Sequence, residues 1–327
     1  MKKQSLTIFV NQKFPDEQAN ALLAQSLAGH NVLYSKSITT SNLAASGHDN
    51  AIEQADVAFG QPDPVAIMNA TGLKWVQLTS AGYDRYDRAD LRAALAARGA
   101  AVTNSSSVYE EPCAEHLVAM MLAMGRQLPA AQENQRGAKA WPDKELRRNS
   151  RLLTGQTVIL LSFGAIARRV VELLAPYRMN VIAVRRKISG NEPIRTITED
   201  QLDALLPEAD HVLNILPGGA ATKAFISARR ISLMKRESYF YNIGRGQTVD
   251  QAALEESLRS GRLAGAYLDV TDPEPLPPGH GLWTAPNCYI TPHTAGGHHN
   301  EFERLVRHFL ENLERFANGE GLRDRVV

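Results

Sequence analysis

The segment Leu160-Leu161-Ser162-Phe163-Gly164-Ala165-Ile166-Ala167 follows an apolar run and opens a helix-like pattern. That is where a strand hands over to a helix in a dinucleotide-binding unit, and the fingerprint there is G-x-G-x-x-G/A. This chain reads Ser-x-Gly-x-x-Ala. Gly164 keeps the position at which backbone approaches a pyrophosphate, with Ala165 and Ile166 beside it, and Ala167 supplies the small residue where helix and strand pack. Ser162 replaces the glycine of the tight turn. Alone, such a string is weak. Arg185, followed by Arg186 and Lys187, stands about 21 residues past Gly164. An acidic residue at that spacing accepts hydrogen bonds from the adenosine ribose, whereas guanidinium groups pair with a ribose 2′-phosphate. The spacing predicts NADP(H) in preference to NAD(H), with NAD(H) possible; the bland reading is a solvated basic turn. Three further segments end strands, where ligands lie in open α/β sheets: Tyr241–Asp250, Leu268–Pro277 and Ile290–Gly297. They carry Arg245, Glu274 and His293: a planar cation, a carboxylate and an imidazole that titrates near neutral pH. Each alone is more often structural than functional.

Short apolar strands alternate with helical patterns along the whole chain, which implies parallel sheets covered on both faces. Leu6–Val10, Asn31–Tyr34, Val57–Phe59, Trp75–Thr79 and Ala100–Thr103 read as strands, and Asp16–Ala28 and Leu91–Arg98 as helices. A strongly apolar helix is expected over Pro112–Gln127, buried in a core or a subunit contact. Glu133–Arg151 reads as a long surface connection. Six more strands follow: Thr157–Leu161, Val181–Val184, His211–Leu216, Ser238–Ile243, Ala264–Val270 and Cys288–Thr291. Helical stretches at Ile166–Ala175, Glu199–Leu206, Ile231–Lys235 and Gln251–Arg259 separate them, and a final helix over His298–Asn318 returns to the first domain.

The 327 residues suffice for two domains, and 44% hydrophobic with 22% charged residues is a globular composition. A net charge of +1 calls for neither nucleic acid nor an anionic membrane surface. The N-terminal apolar run is broken by Asn11 and Lys13, and no stretch has the length of a membrane span. Two distant cysteines, Cys113 and Cys288, fit a reducing compartment, so the cytoplasm is expected. No metal site is expected, because the adjacent His298 and His299 would point about 100° apart on a helix.

Together the three strand-end segments resemble the D-isomer-specific 2-hydroxyacid dehydrogenase family. The resemblance rests on an N-x-x-R-G-x-x-V-D block over Asn242–Asp250, a D-V-x-x-x-E-P-L block over Asp269–Leu276 and a T-P-H-x-A-G block over Thr291–Gly296, in that order. Looser matches at Ser80-Ala81-Gly82 and the helix with Glu115 extend it over nearly the whole chain. The surroundings of Arg185-Arg186 and Asp272-Pro273-Glu274-Pro275 look most like the glyoxylate/hydroxypyruvate reductase branch.

The resemblance implies an α/β fold of two doubly wound parallel sheets. A Rossmann cofactor domain, 107–296, is inserted in a smaller flavodoxin-like substrate domain, 1–106 and 297–327. It implies NADPH-dependent reduction of a small 2-keto acid to the D-2-hydroxy acid. His293 is then the general acid, Glu274 holds its imidazole, and Arg245 grips the substrate carboxylate and polarises the keto oxygen. Ser80, Ala81 and Gly82 bind the substrate carboxylate in the family, although an ordinary strand-to-helix turn would look the same. Leu216 and Pro217 flank the adenosine or ribose, Asp269 holds the nicotinamide amide with Ile243 and Gly244 nearby, and Gly296 belongs to the cofactor site. Asp269 equally suits a strand-end cap. The family also implies a homodimer. Serine at position 162 predicts either a negative φ or a hydroxyl that joins the phosphate site, and Arg178 stands where the family has glycine. The competing function is a dehydrogenase-fold binding or regulatory protein with little or no turnover.

Overall fold

The computed structural model describes residues 5–41, 44 and 46–327. The chain divides into two compact units, Met1–Tyr109 with His298–Val327, and Glu110–Gly297. The first border falls inside the helix Ser106–Gly125, so no Gly- or Pro-rich linker marks it. That helix begins six residues before the expected Pro112, which it carries in its interior. Proline there removes one backbone donor without ending the helix.

The first unit is built on strands β1 (Thr7–Gln12), β2 (Asn31–Thr39), β3 (Val57–Gly60), β4 (Trp75–Leu78) and β5 (Ala101–Thr103). They form one parallel sheet in the order β2-β1-β3-β4-β5. Strands β3 and β4 are buried throughout, as expected of short apolar runs covered on both faces. Phe9, Val76, Leu78, Leu91 and Val102 belong to one apolar cluster around them. Asp16 starts the helix Glu17–Ser26 by accepting from the Gln18 and Ala19 N–H groups.

The second unit carries β6 (Thr157–Leu161), β7 (Asn180–Val184), β8 (Arg195–Ile197), β9 (His211–Asn214), β10 (Tyr239–Asn242), β11 (Gly265–Leu268) and β12 (Cys288–Ile290). The parallel order is β12-β11-β10-β9-β6-β7-β8. The chain runs outward from β6 through β7 to β8, then returns to the other side of β6 at β9, so the switch point lies at the carboxyl ends of β6 and β9. Ile159, Val212, Phe240, Ala266 and Leu268 lie in its apolar core. Ala167 is fully buried in the helix Ala165–Leu174, which accounts for a small residue there.

Two expectations are corrected. The sheet has seven strands rather than six, because the three-residue edge strand β8, pairing only with β7, is too short and too exposed to leave an apolar signature. Within the supposed surface connection, helices form at Leu128–Arg136 and Asp143–Asn149; neither buries a residue, so no apolar period announces them. No helix among the described residues is long and apolar enough to cross a membrane.

Candidate active site

At the end of β6, Ser162 takes φ +97°, and its N–H donates to the Val184 carbonyl at 3.2 Å. The expected negative φ is thus overturned: serine takes the positive φ of the tight turn and bears its strain. Arg178 likewise adopts the left-handed conformation, φ +51°, where the family has glycine. Gly164 precedes the helix Ala165–Leu174, and no side chain caps that helix. The N–H groups of Gly164, Ala165 and Ile166 have no partner among the described residues. A Cβ on Gly164 would meet nothing nearer than the Ser162 Oγ at 4.0 Å. The protein itself therefore has no packing need for glycine there. Free donors at a helix N-terminus beside an open glycine fit a bound pyrophosphate.

At the end of β7, Arg185 donates from Nη1 to the Glu192 carboxylate at 3.0 Å. Arg186 and Lys187 are exposed and have no hydrogen-bond partner among the described residues. At the end of β9, Leu216 is half-buried and Pro217 exposed, and the backbone of Leu216 faces Gly244 so closely that a Cβ on Gly244 would lie 2.5 Å from the Leu216 oxygen. Ile243 is buried, its N–H donating to the Asn214 carbonyl at 3.1 Å.

Arg245 sits after β10 in extended backbone, half-buried, with Nη1 donating to the Gly244 carbonyl at 2.7 Å. Its carbonyl accepts from Asn242 Nδ2 at 3.2 Å and Thr248 Oγ1 at 2.6 Å. Asn214 Nδ2 in turn donates to Asn242 Oδ1 at 3.0 Å and Thr248 Oγ1 at 2.6 Å. This buried amide–hydroxyl network fixes the backbone that presents the guanidinium. Asn214 was not singled out from sequence; its only signal is an amide ending an otherwise apolar strand. Gly246 allows a further close approach, since a Cβ there would lie 2.0 Å from the Thr271 carbonyl carbon and oxygen.

Beyond β11 the chain turns through Thr271 and Asp272 to Glu274, and the Gln251 side chain clamps the Asp272 backbone through both its N–H and its carbonyl. Glu274 Oε1 lies 2.5 Å from His293 Nδ1, with the two side chains 38% and 23% exposed. The pair is therefore partly open to solvent, and Nε2 of His293 is left for another partner. His293 is held by its own backbone, whose N–H donates to the Asp269 and Thr291 carbonyls. Asp269, 4% exposed, accepts from Thr291 Oγ1 at 2.6 Å, from the Thr294 N–H at 2.8 Å and from the Ala295 N–H at 3.1 Å. Its carboxylate thus pins the loop carrying His293 and Gly296. Burial, and then the Asp269 charge, push the Tyr267 phenol up, so it stays neutral against Thr291 Oγ1 at 2.6 Å.

In the first unit, the carbonyls of Ser80, Ala81 and Gly82 all accept internal bonds: from the Ser105 N–H, from Asn104 Nδ2 and from Ser80 Oγ. The N–H groups of Ala81 and Gly82 have no partner among the described residues. Carbonyls tied inward with donors left free make a loop suited to an anion. Gln61 braces it by donating to Thr79 Oγ1 and Ser80 Oγ.

A doubly wound sheet with an uncapped, glycine-opened helix at its switch point defines a nicotinamide-dinucleotide dehydrogenase fold. Residues 118–295 match the family model "D-isomer specific 2-hydroxyacid dehydrogenase, NAD binding domain". The chain is 32% identical to an uncharacterised protein of Corynebacterium melassecola, over 88% of this chain and 94% of that one. It is 31% identical to the glyoxylate reductase of Korarchaeum cryptofilum, over 72% of this chain and 71% of that one. A solved structure of a family member from Xanthobacter autotrophicus, in complex with NADPH and MES, superposes with a TM-score of 0.80 at 25% identity, covering 99% of this chain and 98% of that one. The chain belongs to the D-isomer specific 2-hydroxyacid dehydrogenase family, whose members are NAD(P)-dependent oxidoreductases.

Proposed function

We propose that this protein reduces a small 2-keto acid of the glyoxylate/hydroxypyruvate class to the D-2-hydroxy acid, with NADPH preferred to NADH. The observation that carries the proposal is the Glu274–His293 pair at 2.5 Å. A bound reduced nicotinamide supplies the hydride to the carbonyl carbon. His293 donates the proton from Nε2 to the carbonyl oxygen, while its Nδ1 stays hydrogen-bonded to Glu274, which orients the ring. Arg245 pairs with the substrate carboxylate and polarises the keto oxygen, its position fixed by Asn242, Thr248 and Asn214. The free Ala81 and Gly82 N–H groups, with Ser80, give the first unit a loop suited to a carboxylate, the substrate-binding role proposed for these three residues.

Gly164, Ala165 and Ile166, with Ser162 at the turn beside them, would hold the pyrophosphate, Leu216 and Pro217 would flank the adenosine or ribose, and Ile243, Gly244, Asp269 and Gly296 would serve the nicotinamide end. Preference for NADPH rests on the unpaired Arg186 and Lys187 with Arg185 behind them, and the NADPH complex of the Xanthobacter relative supports it. The name of the Korarchaeum relative supports the substrate class. Trp141, 90% exposed, lines a groove of about 730 Å³ with Ala131, Pro142 and Leu146. An apolar surface of that kind supports a homodimer. Cys113 and Cys288 form no disulfide, which accords with a cytoplasmic location.

The competing reading, a cofactor-binding protein without turnover, is favoured only by the strained Ser162. Steady-state rates and cofactor affinity of His293→Ala separate the two. Loss of at least about 100-fold in kcat with the cofactor Kd retained supports the reductase; wild-type protein that binds cofactor and turns over no keto acid supports the other.

A further inference from the structure

The loop after β7 is built around one internal carboxylate. Glu192 Oε1 accepts from the Ser189 N–H at 2.8 Å, from Ser189 Oγ at 2.8 Å and from Arg185 Nη1 at 3.0 Å. Oε2 accepts from the Gly190 N–H at 2.9 Å, and Gly190 takes φ +85° to present it. Two backbone donors, a hydroxyl and a guanidinium thus converge on one anion whose side chain is only 4% exposed. Successive backbone N–H groups with an arginine form the kind of concavity that binds phosphate. Here it follows the strand whose end carries Arg185, Arg186 and Lys187, the residues assigned above to the ribose 2′-phosphate.

We infer that Glu192 is a specificity-determining residue: its carboxylate occupies an anion site formed by Arg185, Ser189 and Gly190, and competes there with the 2′-phosphate of the cofactor. The inference rests on the reading that the adenosine ribose lies at the end of β7. The Ser189 N–H, and then its hydroxyl, hold the Glu192 carboxyl down at about 2, so the internal anion is present at any ordinary pH. Of the three basic side chains, Arg185 is the one already committed to it. Arg186 and Lys187 supply the preference for a 2′-phosphate, and Glu192 limits it. With Glu192 in place, a cofactor lacking the 2′-phosphate leaves the Arg185 Nη1, Ser189 and Gly190 donors satisfied, so NAD(H) remains a usable ligand.

The experiment is calorimetric titration of the full chain with 2′,5′-ADP and with 5′-AMP, which contain the adenosine end alone. Glu192→Gln removes the competing charge at nearly constant shape. The 2′,5′-ADP Kd is expected to fall about tenfold, with 5′-AMP changed by less than about twofold. Retained 5′-AMP binding with 2′,5′-ADP unchanged or weaker overturns the inference, since Glu192 would then only brace Arg185 for the phosphate. If the variant loses both ligands, Arg185→Gln/Glu192→Gln decides, because it removes the pair as a unit. Affinity for 2′,5′-ADP at or above wild type upholds the inference; a loss of about tenfold or more overturns it. Wild-type protein that binds neither ligand refutes the assignment of the ribose to β7, and the inference with it.

Discussion

Replacing Gly246 by alanine is expected to damage both the fold and the chemistry, and the structure sets the scale. The new Cβ would lie 2.0 Å from the Thr271 carbonyl carbon and oxygen and 2.6 Å from the Asp272 nitrogen. Every contacted atom is backbone, so no rotamer change relieves the clash. Real Cβ contacts essentially never fall below 3.0 Å, so the two segments must separate by about 1 Å. One segment carries Arg245 and the other leads to Glu274, the partner of His293. If these groups act on one carbonyl, as proposed above, a displacement of about 1 Å between them costs on the order of 100-fold in rate. Forcing a methyl into a packed site costs about 1–3 kcal/mol of stability. The assay is kcat/KM for keto-acid reduction beside a urea melt, for wild type and G246A. A variant within about threefold of wild-type kcat/KM would refute the reasoning, because the close approach would then not matter to catalysis.

Gly164→Ala should do the opposite: its Cβ meets no protein atom nearer than the Ser162 Oγ at 4.0 Å, so stability should stay within about 0.5 kcal/mol while the cofactor Kd rises at least about tenfold. A matching loss in the melt would show that glycine serves packing instead. Ser162→Gly relieves a φ of +97° and should stabilise the protein by about 1 kcal/mol in the same melt; a destabilised variant would mean that the serine hydroxyl outweighs the strain. His211, 1% exposed and bonded to Tyr241 and Gln156, has its pKa lowered from 6.5 to about 4 by burial. Between those values the unfolded chain binds the proton and the folded one does not, so the contribution is present above pH 6.5 and lost as pH falls toward about 4. From about pH 7 to about pH 5 the loss is on the order of 2 kcal/mol. Urea melts across that range should show it in wild type and a smaller fall in His211→Gln; equal slopes would place the titration elsewhere.

The candidate site residues were legible in the sequence wherever a residue type is dictated by a fixed backbone position. Arg245, Glu274 and His293 follow strands whose apolar runs are easy to read, and their blocks include the glycines that the close approaches need. The parallel sheets were legible for the same reason. What escaped had no apolar signature: β8 is a short edge strand, and the helices Leu128–Arg136 and Asp143–Asn149 bury nothing. Of the two outcomes expected for Ser162, the negative φ is excluded by its φ of +97°, since the backbone there keeps the turn that glycine ordinarily makes. Arg185 was legible as a basic residue at the right spacing, yet its ion pair with Glu192, seven residues on, depends on a loop that no periodicity describes. Asn214 and Gln251 act through hydrogen bonds to backbone of other segments, which only the folded chain brings near.

The measurement closest to the central claim is the initial rate of reduced-nicotinamide oxidation with glyoxylate and with hydroxypyruvate, for wild type and His293→Ala, under NADPH and NADH in parallel. Wild-type turnover, faster with NADPH, together with a loss of at least about 100-fold in kcat for the variant at unchanged cofactor affinity, is the expected result. A variant that turns over within about threefold of wild type would contradict the role of His293 as the acid that the Glu274 pair holds in place.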